Sequence, residues 1–169
     1  QCVVGDELAA WCELARETRC TLILDEFYSH YVYTGDEGAQ VSGAEFVEDV
    51  DRDPIILVDG LTKNWRYPGW RVSWTLGPKS VIEAVASAGS FLDGGANHPF
   101  QQATLPLLEA KSALQETRAI QAHFGEKRAR VVARLRAMGL RVEAEPAGTF
   151  YVWANLSDLP EPLNDGMRF

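Results

Sequence analysis

A lysine and an arginine occupy two tight turns in the middle of the sequence. Lys63 follows the apolar run 55–58, which predicts a buried strand. A Pro-Gly turn comes next, and Arg71 lies at the start of the next predicted strand, 70–76. Lysine amines form Schiff bases with carbonyl groups, and arginine binds phosphate through paired hydrogen bonds. The two residues suit a molecule that carries an aldehyde and a phosphate; the alternative is a pair of ordinary solvated side chains.

Two further polar residues follow an apolar run upstream. Residues 21–24 predict a strand that ends at Asp25, and Tyr28 comes three residues later. A helix predicted at about 7–17, capped by Asp6, precedes this strand. Alternation of helices with buried strands predicts an α/β fold with a mostly parallel sheet. Because ligands bind outside the carboxyl ends of such strands, we expect Asp25 and Lys63 to face one crevice.

The lysine stretch resembles the signature of a known enzyme family. Gly60-Leu-Thr-Lys63 with Pro68-Gly-Trp-Arg71-Val is similar to the lysine motif of the class I and II aminotransferases. These are fold-type I enzymes that use pyridoxal 5′-phosphate (PLP). The Asp25-x-x-Tyr28 motif lies upstream, in the order that the family uses. The resemblance covers nearly the whole chain.

The resemblance assigns a role to each of these residues. It implies that Lys63 forms a Schiff base with PLP and that Arg71 binds the phosphate. It implies that Asp25 pairs with the pyridinium nitrogen and that Tyr28 donates a hydrogen bond to the 3′ oxygen of the ring. Gly60 departs from the family, which often has a phosphate-binding serine there, so that contact is missing or is replaced by Thr62. Ser73 stands where the family usually has glycine or alanine.

The implied activity is transfer of an amino group between an L-amino acid and a 2-oxo acid. The freed amine of Lys63 would move the proton from Cα. A PLP-dependent C–S lyase or decarboxylase would need the same residues, so these reactions stay open. A different class of protein is also open, namely an aminotransferase-like sensor domain of a transcriptional regulator. Which amino acid is the substrate is not encoded in these motifs.

The resemblance also implies a domain division. Residues 1–138 correspond to the C-terminal portion of the PLP-binding large domain, including a long interdomain helix at about 113–138. Residues 139–169 correspond to the beginning of an α+β small domain, with predicted strands at 140–144 and 149–154. The chain begins without Met and ends within a predicted helix. We therefore expect an internal fragment of a longer enzyme, inactive in isolation.

Composition narrows the class of partner. The 169 residues carry a net charge of −8, which argues against nucleic acid as a main partner. No apolar run approaches the roughly 18 residues of a membrane span, and the three cysteines lack zinc spacing. We expect a cytoplasmic, metal-free enzyme that forms a homodimer, as the resemblance implies. Asn97 and His98 either reach the partner's site, as the family's loop does, or serve as a helix cap and a surface histidine.

Overall fold

The computed structural model describes residues 2–168 as an α/β arrangement. Its helices are α1 (Gly5–Thr18), α2 (Leu61–Asn64), α3 (Lys79–Leu92), α4 (His98–Thr104) and α5 (Ala110–Ala137). Its strands are β1 (Leu22–Asp25), β2 (Ile55–Gly60) and β3 (Ser73–Leu76). Short 3₁₀ turns lie at Ser29–Tyr31, Gly43–Phe46, Pro68–Trp70 and Leu105–Leu107. The predicted α/β class is confirmed.

The three strands form one sheet in the order β1-β2-β3. β1 pairs with β2 in parallel, with Asp25 opposite Val58, and β2 pairs antiparallel with β3. This part of the sheet is therefore mixed. The carboxyl ends of β1 and β2 lie at one edge, where the backbone N–H of Glu26 donates to the carbonyl oxygen of Val58 at 2.9 Å. Asp25 and the segment that carries Lys63 leave the sheet at this edge, as the sequence predicts.

Helix α1 covers one face of the sheet. Its buried side chains Leu8 and Cys12 pack with Ile55 and Leu57 of β2 in one apolar cluster. The predicted Asp6 cap is wrong, because Val4 occupies the N-cap position and no side chain caps the helix there. Asp6 lies instead within the first turn, where a negative charge favours the helix dipole.

Helix α5 is 28 residues long and packs against the turn at Ser29–Tyr31. Its buried positions are Thr117, Ile120 and Val132. Gly139 follows the helix with φ 84°, a left-handed conformation that ends the helix and favours glycine. Across residues 2–168, no helix is both long and apolar enough to cross a membrane.

The predicted strands at 140–144 and 149–154 are wrong. Neither run forms a strand; Arg141 forms an isolated bridge with Asn155, just beyond the second run. Thr149 has φ 61°, in the left-handed region, and this interrupts an extended backbone. Gly148 forms its antiparallel bridge with Val32 instead. The chain after α5 therefore lies against the segment that follows Tyr28, a contact that becomes important for the site.

Candidate functional site

Lys63 lies in the single helical turn α2, directly after β2. The backbone N–H of Leu61 donates to the carbonyl oxygen of Val72 at 3.0 Å, which links the start of the turn to the approach of β3. Leu61, Val72 and Trp65 are buried together in a second apolar cluster. Apolar residues on both sides of Lys63 therefore anchor the turn, while Lys63 itself remains partly exposed.

Gly60 accounts for one departure from the family pattern. It lies opposite Ser73 in the β2–β3 ladder. A Cβ atom at position 60 would lie 2.8 Å from the Cα and Cβ of Ser73 and 2.8 Å from the carbonyl oxygen of Val72. Because two of these atoms belong to the backbone, a serine at position 60 would force the strands apart. The family's serine hydroxyl is thus excluded here by packing.

Asn64, the residue after Lys63, is fully buried and ties the turn to the end of β1. Its Nδ2 atom lies 2.9 Å from the carbonyl oxygen of Glu26, 3.0 Å from Ser29 Oγ and 2.9 Å from Asp59 Oδ1. Its Oδ1 accepts the backbone N–H of His30 at 3.1 Å. One side-chain amide therefore joins the segments that carry the two sequence motifs.

The groups around Asn64 have perturbed ionisation. Burial raises the pKa of Asp59 to about 7, against the opposing effect of a hydrogen bond from the N–H of Gly60. Burial lowers the pKa of His30 to about 4, so its ring is neutral at neutral pH. His30 Nδ1 then donates to the backbone carbonyl of Asn64, 3.1 Å away. The support of the lysine turn contains a carboxyl group that titrates near neutrality.

Two aromatic rings flank the amine of Lys63. Its Nζ atom lies 5.9 Å from the centre of the Tyr28 ring and 5.8 Å from that of Phe150. Between residues 2 and 168, no carboxylate forms an ion pair with Lys63. Such rings attract a cation through their faces without neutralising it. The amine is thus held in place but left free to react.

The hydroxyl groups of Tyr28 and Tyr151 lie 2.9 Å apart. Burial raises the pKa of Tyr28 above its ordinary value. Tyr28 therefore stays protonated at neutral pH and can act as a hydrogen-bond donor. The structure brings Tyr28 and Lys63 together, as predicted.

Asp25 and Arg71 are both exposed. The Oδ1 atom of Asp25 accepts the N–H of Phe27 at 3.1 Å. Arg71 has φ 55°, a strained backbone conformation for a residue with a side chain, and its Nη1 donates to the carbonyl oxygen of Pro68 at 3.1 Å. A cavity of about 300 Å³ is lined by Asp25 and Tyr28 among others, but not by Lys63 or Arg71. No contact within the described chain links Arg71 to the other three predicted residues.

Several residues of this site belong to none of the sequence motifs. Asn64 and Asp59 hydrogen-bond to each other beside the lysine turn. From the far end of the chain, Phe150 contacts Lys63 and Tyr151 contacts Tyr28. In the sequence, the signal for Asp59 and Asn64 is their position: Asp59 directly follows the apolar run 55–58, and Asn64 directly follows Lys63. Asn97 caps α4 by accepting the N–H of Phe100 at 3.2 Å, which confirms the helix-cap alternative.

These features define an α/β domain that presents one lysine amine at the carboxyl edge of a sheet. Residues 6–165 match the sequence model described as aminotransferase class I and II. The match covers most of the chain, and the chain belongs to this family. The predicted fold-type I class is confirmed by the solved structures that the chain resembles.

Similar proteins share about 30% of the sequence. The aspartate aminotransferase of Streptomyces avermitilis is 31% identical over 155 residues, which cover 91% of this chain and 36% of that protein. The aspartate/prephenate aminotransferase of Thermus thermophilus is 32% identical over 155 residues, with 90% and 38% covered. The structure of a Thermus thermophilus aspartate aminotransferase with maleate superposes with a TM-score of 0.79 at 28% identity, covering 93% of this chain and 39% of that one. The chain thus spans well under half the length of these relatives.

We expect Asn64→Ala to destabilise the protein by about 3 kcal/mol, since it leaves several buried donors and acceptors without partners. Urea unfolding followed by circular dichroism measures the change. Asn164→Ala, at an exposed asparagine, is the matched control and should change stability by less than about 0.5 kcal/mol. Equal effects of the two variants would contradict the role assigned to Asn64.

We expect Asp59→Asn to alter the pH dependence of stability. Because burial raises the pKa of Asp59 from 3.8 to about 7, the folded protein holds a proton there that the unfolded chain has lost. The free energy of unfolding therefore falls as pH rises through this window. Asparagine keeps an oxygen acceptor but does not titrate. Its stability relative to the native protein should thus be higher at pH 8 than at pH 5.

Urea unfolding at the two pH values tests this expectation. Asp36→Asn, at an exposed carboxylate, controls for the loss of one negative charge. If the stability difference between Asp59→Asn and the native protein is the same at pH 5 and pH 8, the proposed titration of Asp59 near neutrality is refuted.

Proposed function

We propose that this chain carries the lysine-bearing part of the active site of a PLP-dependent aminotransferase. The observation that carries the proposal is the amine of Lys63, which lies at the carboxyl edge of the sheet between two aromatic rings. Membership of the family and the names of the relatives support the same activity. The substrates would be an L-amino acid and a 2-oxo acid, and the relatives named for aspartate make a dicarboxylic amino acid the first to assay.

The residues present fit PLP by the chemistry of their side chains. PLP needs an amine for its aldehyde, a cation for its phosphate and an anion for its ring nitrogen. Lys63 supplies the amine, Arg71 the cation and Asp25 the anion. None of the three has an ion-pair partner within residues 2–168. Arg71 has a left-handed backbone conformation, which costs conformational free energy. Such strained residues occur preferentially at functional sites. Gly60 offers no hydroxyl, so Arg71 would bear more of the phosphate binding.

Each side chain has a defined task in this proposal. When bound, PLP supplies an aldehyde that reacts with amines and a ring that withdraws electrons from the Cα atom. Lys63 would hold the cofactor through Nζ and, once displaced by the substrate amine, would move a proton at the same atom. Asp25 would keep the ring nitrogen protonated. Tyr28, protonated at neutral pH, would donate a hydrogen bond to the 3′ oxygen of the ring.

The predicted domain division, oligomer and location remain part of the proposal. Residues 1–138 would belong to the large domain and 139–169 to the start of the small one. The side chains of Phe91 and Leu92 are 92% and 84% exposed, and a homodimer would cover them. The three cysteines are free thiols, which agrees with the reducing cytoplasm.

We expect borohydride reduction of the PLP-treated protein to leave a pyridoxyl group on Lys63. The experiment uses this chain, with peptide mass spectrometry as readout. Lys63→Ala should abolish the adduct. Lys127→Ala is the matched control, because the amine of Lys127 also lies over an aromatic ring, 5.2 Å from the centre of Phe124. A native protein that carries no adduct on Lys63 would overturn the proposal.

We expect Arg71→Ala to weaken PLP binding by roughly tenfold or more, because one charged hydrogen-bonded contact to phosphate contributes about 1.5–3 kcal/mol. Fluorescence titration with PLP measures the dissociation constant. Arg52→Ala removes an exposed arginine on another part of the surface and controls for the loss of charge. An unchanged dissociation constant in Arg71→Ala would remove this residue from the phosphate site.

A further inference from the structure

The segment Gly148–Tyr151 is attached to the site by its backbone. The N–H of Tyr33 donates to the carbonyl oxygen of Ala147 at 2.8 Å, and the N–H of Thr149 donates to that of Tyr31 at 3.0 Å. The hydroxyl of Tyr33 donates to the carbonyl oxygen of Thr149 at 2.7 Å. A Cβ atom at Gly148 would lie 2.5 Å from Cys2 Sγ and 3.1 Å from the carbonyl oxygen of Tyr31, so a side chain there would crowd this approach. The segment is thus held in one register against the residues that follow Tyr28.

This attachment places the rings of Phe150 and Tyr151 beside that of Tyr28. The ring centres of Phe150 and Tyr151 lie 5.5 Å and 5.8 Å from that of Tyr28, in edge-to-face geometry. They lie 4.7 Å from each other. Phe150 contacts Lys63 with its face, whereas Tyr151 directs its hydroxyl group to the hydroxyl of Tyr28. The side chain of Tyr151 is 61% exposed, yet its polar atom is engaged within the site.

The proton count of the hydroxyl pair limits what Tyr28 can do. Each phenol carries one proton, so only one of the two can donate across the 2.9 Å contact. If Tyr28 donates to Tyr151, it has no proton left for another acceptor. If Tyr151 donates to Tyr28, the proton of Tyr28 is free to point toward an acceptor beside Lys63. A hydrogen bond to the oxygen of Tyr28 also fixes the direction of that remaining proton.

We propose that Tyr151 is a positioning residue of this site, whose hydroxyl donates to Tyr28 and thereby directs the proton of Tyr28 toward the bound cofactor. This inference rests on the proposed function, because the acceptor is the ring oxygen of PLP. It extends that function to a residue 123 positions away from Tyr28 in the chain. It also gives the segment Gly148–Tyr151 a role in setting the pH at which the bound cofactor titrates, in addition to the contact of Phe150 with Lys63.

The test is a pH titration of the visible absorbance of the PLP-loaded protein, and the quantity compared is the midpoint pH of the absorbance change. It is measured for the native protein, Tyr28→Phe, Tyr151→Phe and the double variant. Each Tyr→Phe change keeps the ring and removes only the hydroxyl group. We expect Tyr151→Phe to shift the midpoint by roughly 0.4–1 pH unit, the equivalent of one ordinary hydrogen bond, in the same direction as Tyr28→Phe. The double variant should shift it no further than Tyr28→Phe alone, because Tyr151 acts through Tyr28.

The controls separate this inference from the proposed function. Tyr67→Phe, at a half-exposed tyrosine that stacks on Trp70 instead, should leave the midpoint unchanged. Borohydride labelling of Lys63 is measured in every variant. A labelled Lys63 with an unchanged midpoint in Tyr151→Phe, or additive shifts in the double variant, overturns the role of Tyr151 alone. An unlabelled Lys63 in the native protein overturns both proposals.

Discussion

The buried side-chain amide of Asn64 is the interaction on which the rest of this site depends. It lies next to Lys63 in sequence, and it bonds to the backbone of Glu26 and His30 beyond the end of β1. Parallel strands place their carboxyl ends together, but they do not determine how the loops beyond them are oriented. The Asn64 amide supplies that orientation, because every bond it makes has a directional requirement. The lysine turn and the Asp25–Tyr28 segment are therefore held as one unit.

A second constraint is how the surroundings stabilise the positive charge of the Lys63 amine. Among residues 2–168, Lys63 contacts aromatic faces and pairs with no carboxylate, so its charge is stabilised without an ion pair. The nearby carboxyl of Asp59 is turned away, toward the N–H of Gly60 and the amide of Asn64. Asp59 therefore belongs to the support of the lysine turn, whereas Asp25 is exposed to solvent.

Local patterns explain what could be predicted from the sequence. The strands β1 and β2 and the long helix α5 follow from apolar periodicity, and Lys63, Asp25, Tyr28 and Arg71 follow from motifs at turns. The contacts that complete the site depend on residues far apart in sequence. The burial of Asn64, the titration of Asp59 and the pairing of Tyr28 with Tyr151 arise only when distant segments pack together. The run 149–154 was mistaken for a strand because its apolar pattern conceals the left-handed backbone of Thr149.

The pairing of Tyr28 with Tyr151 has a consequence for the order of folding. It closes a loop of 123 residues, whereas Glu26 and Asn64 are only 38 residues apart. The entropy lost on closing a loop grows with its length, so the longer closure comes at the greater cost. We therefore expect the lysine turn to form before its aromatic cover. A partly folded chain would expose Lys63 on an otherwise native sheet, and the last step of folding would be the one that encloses the amine.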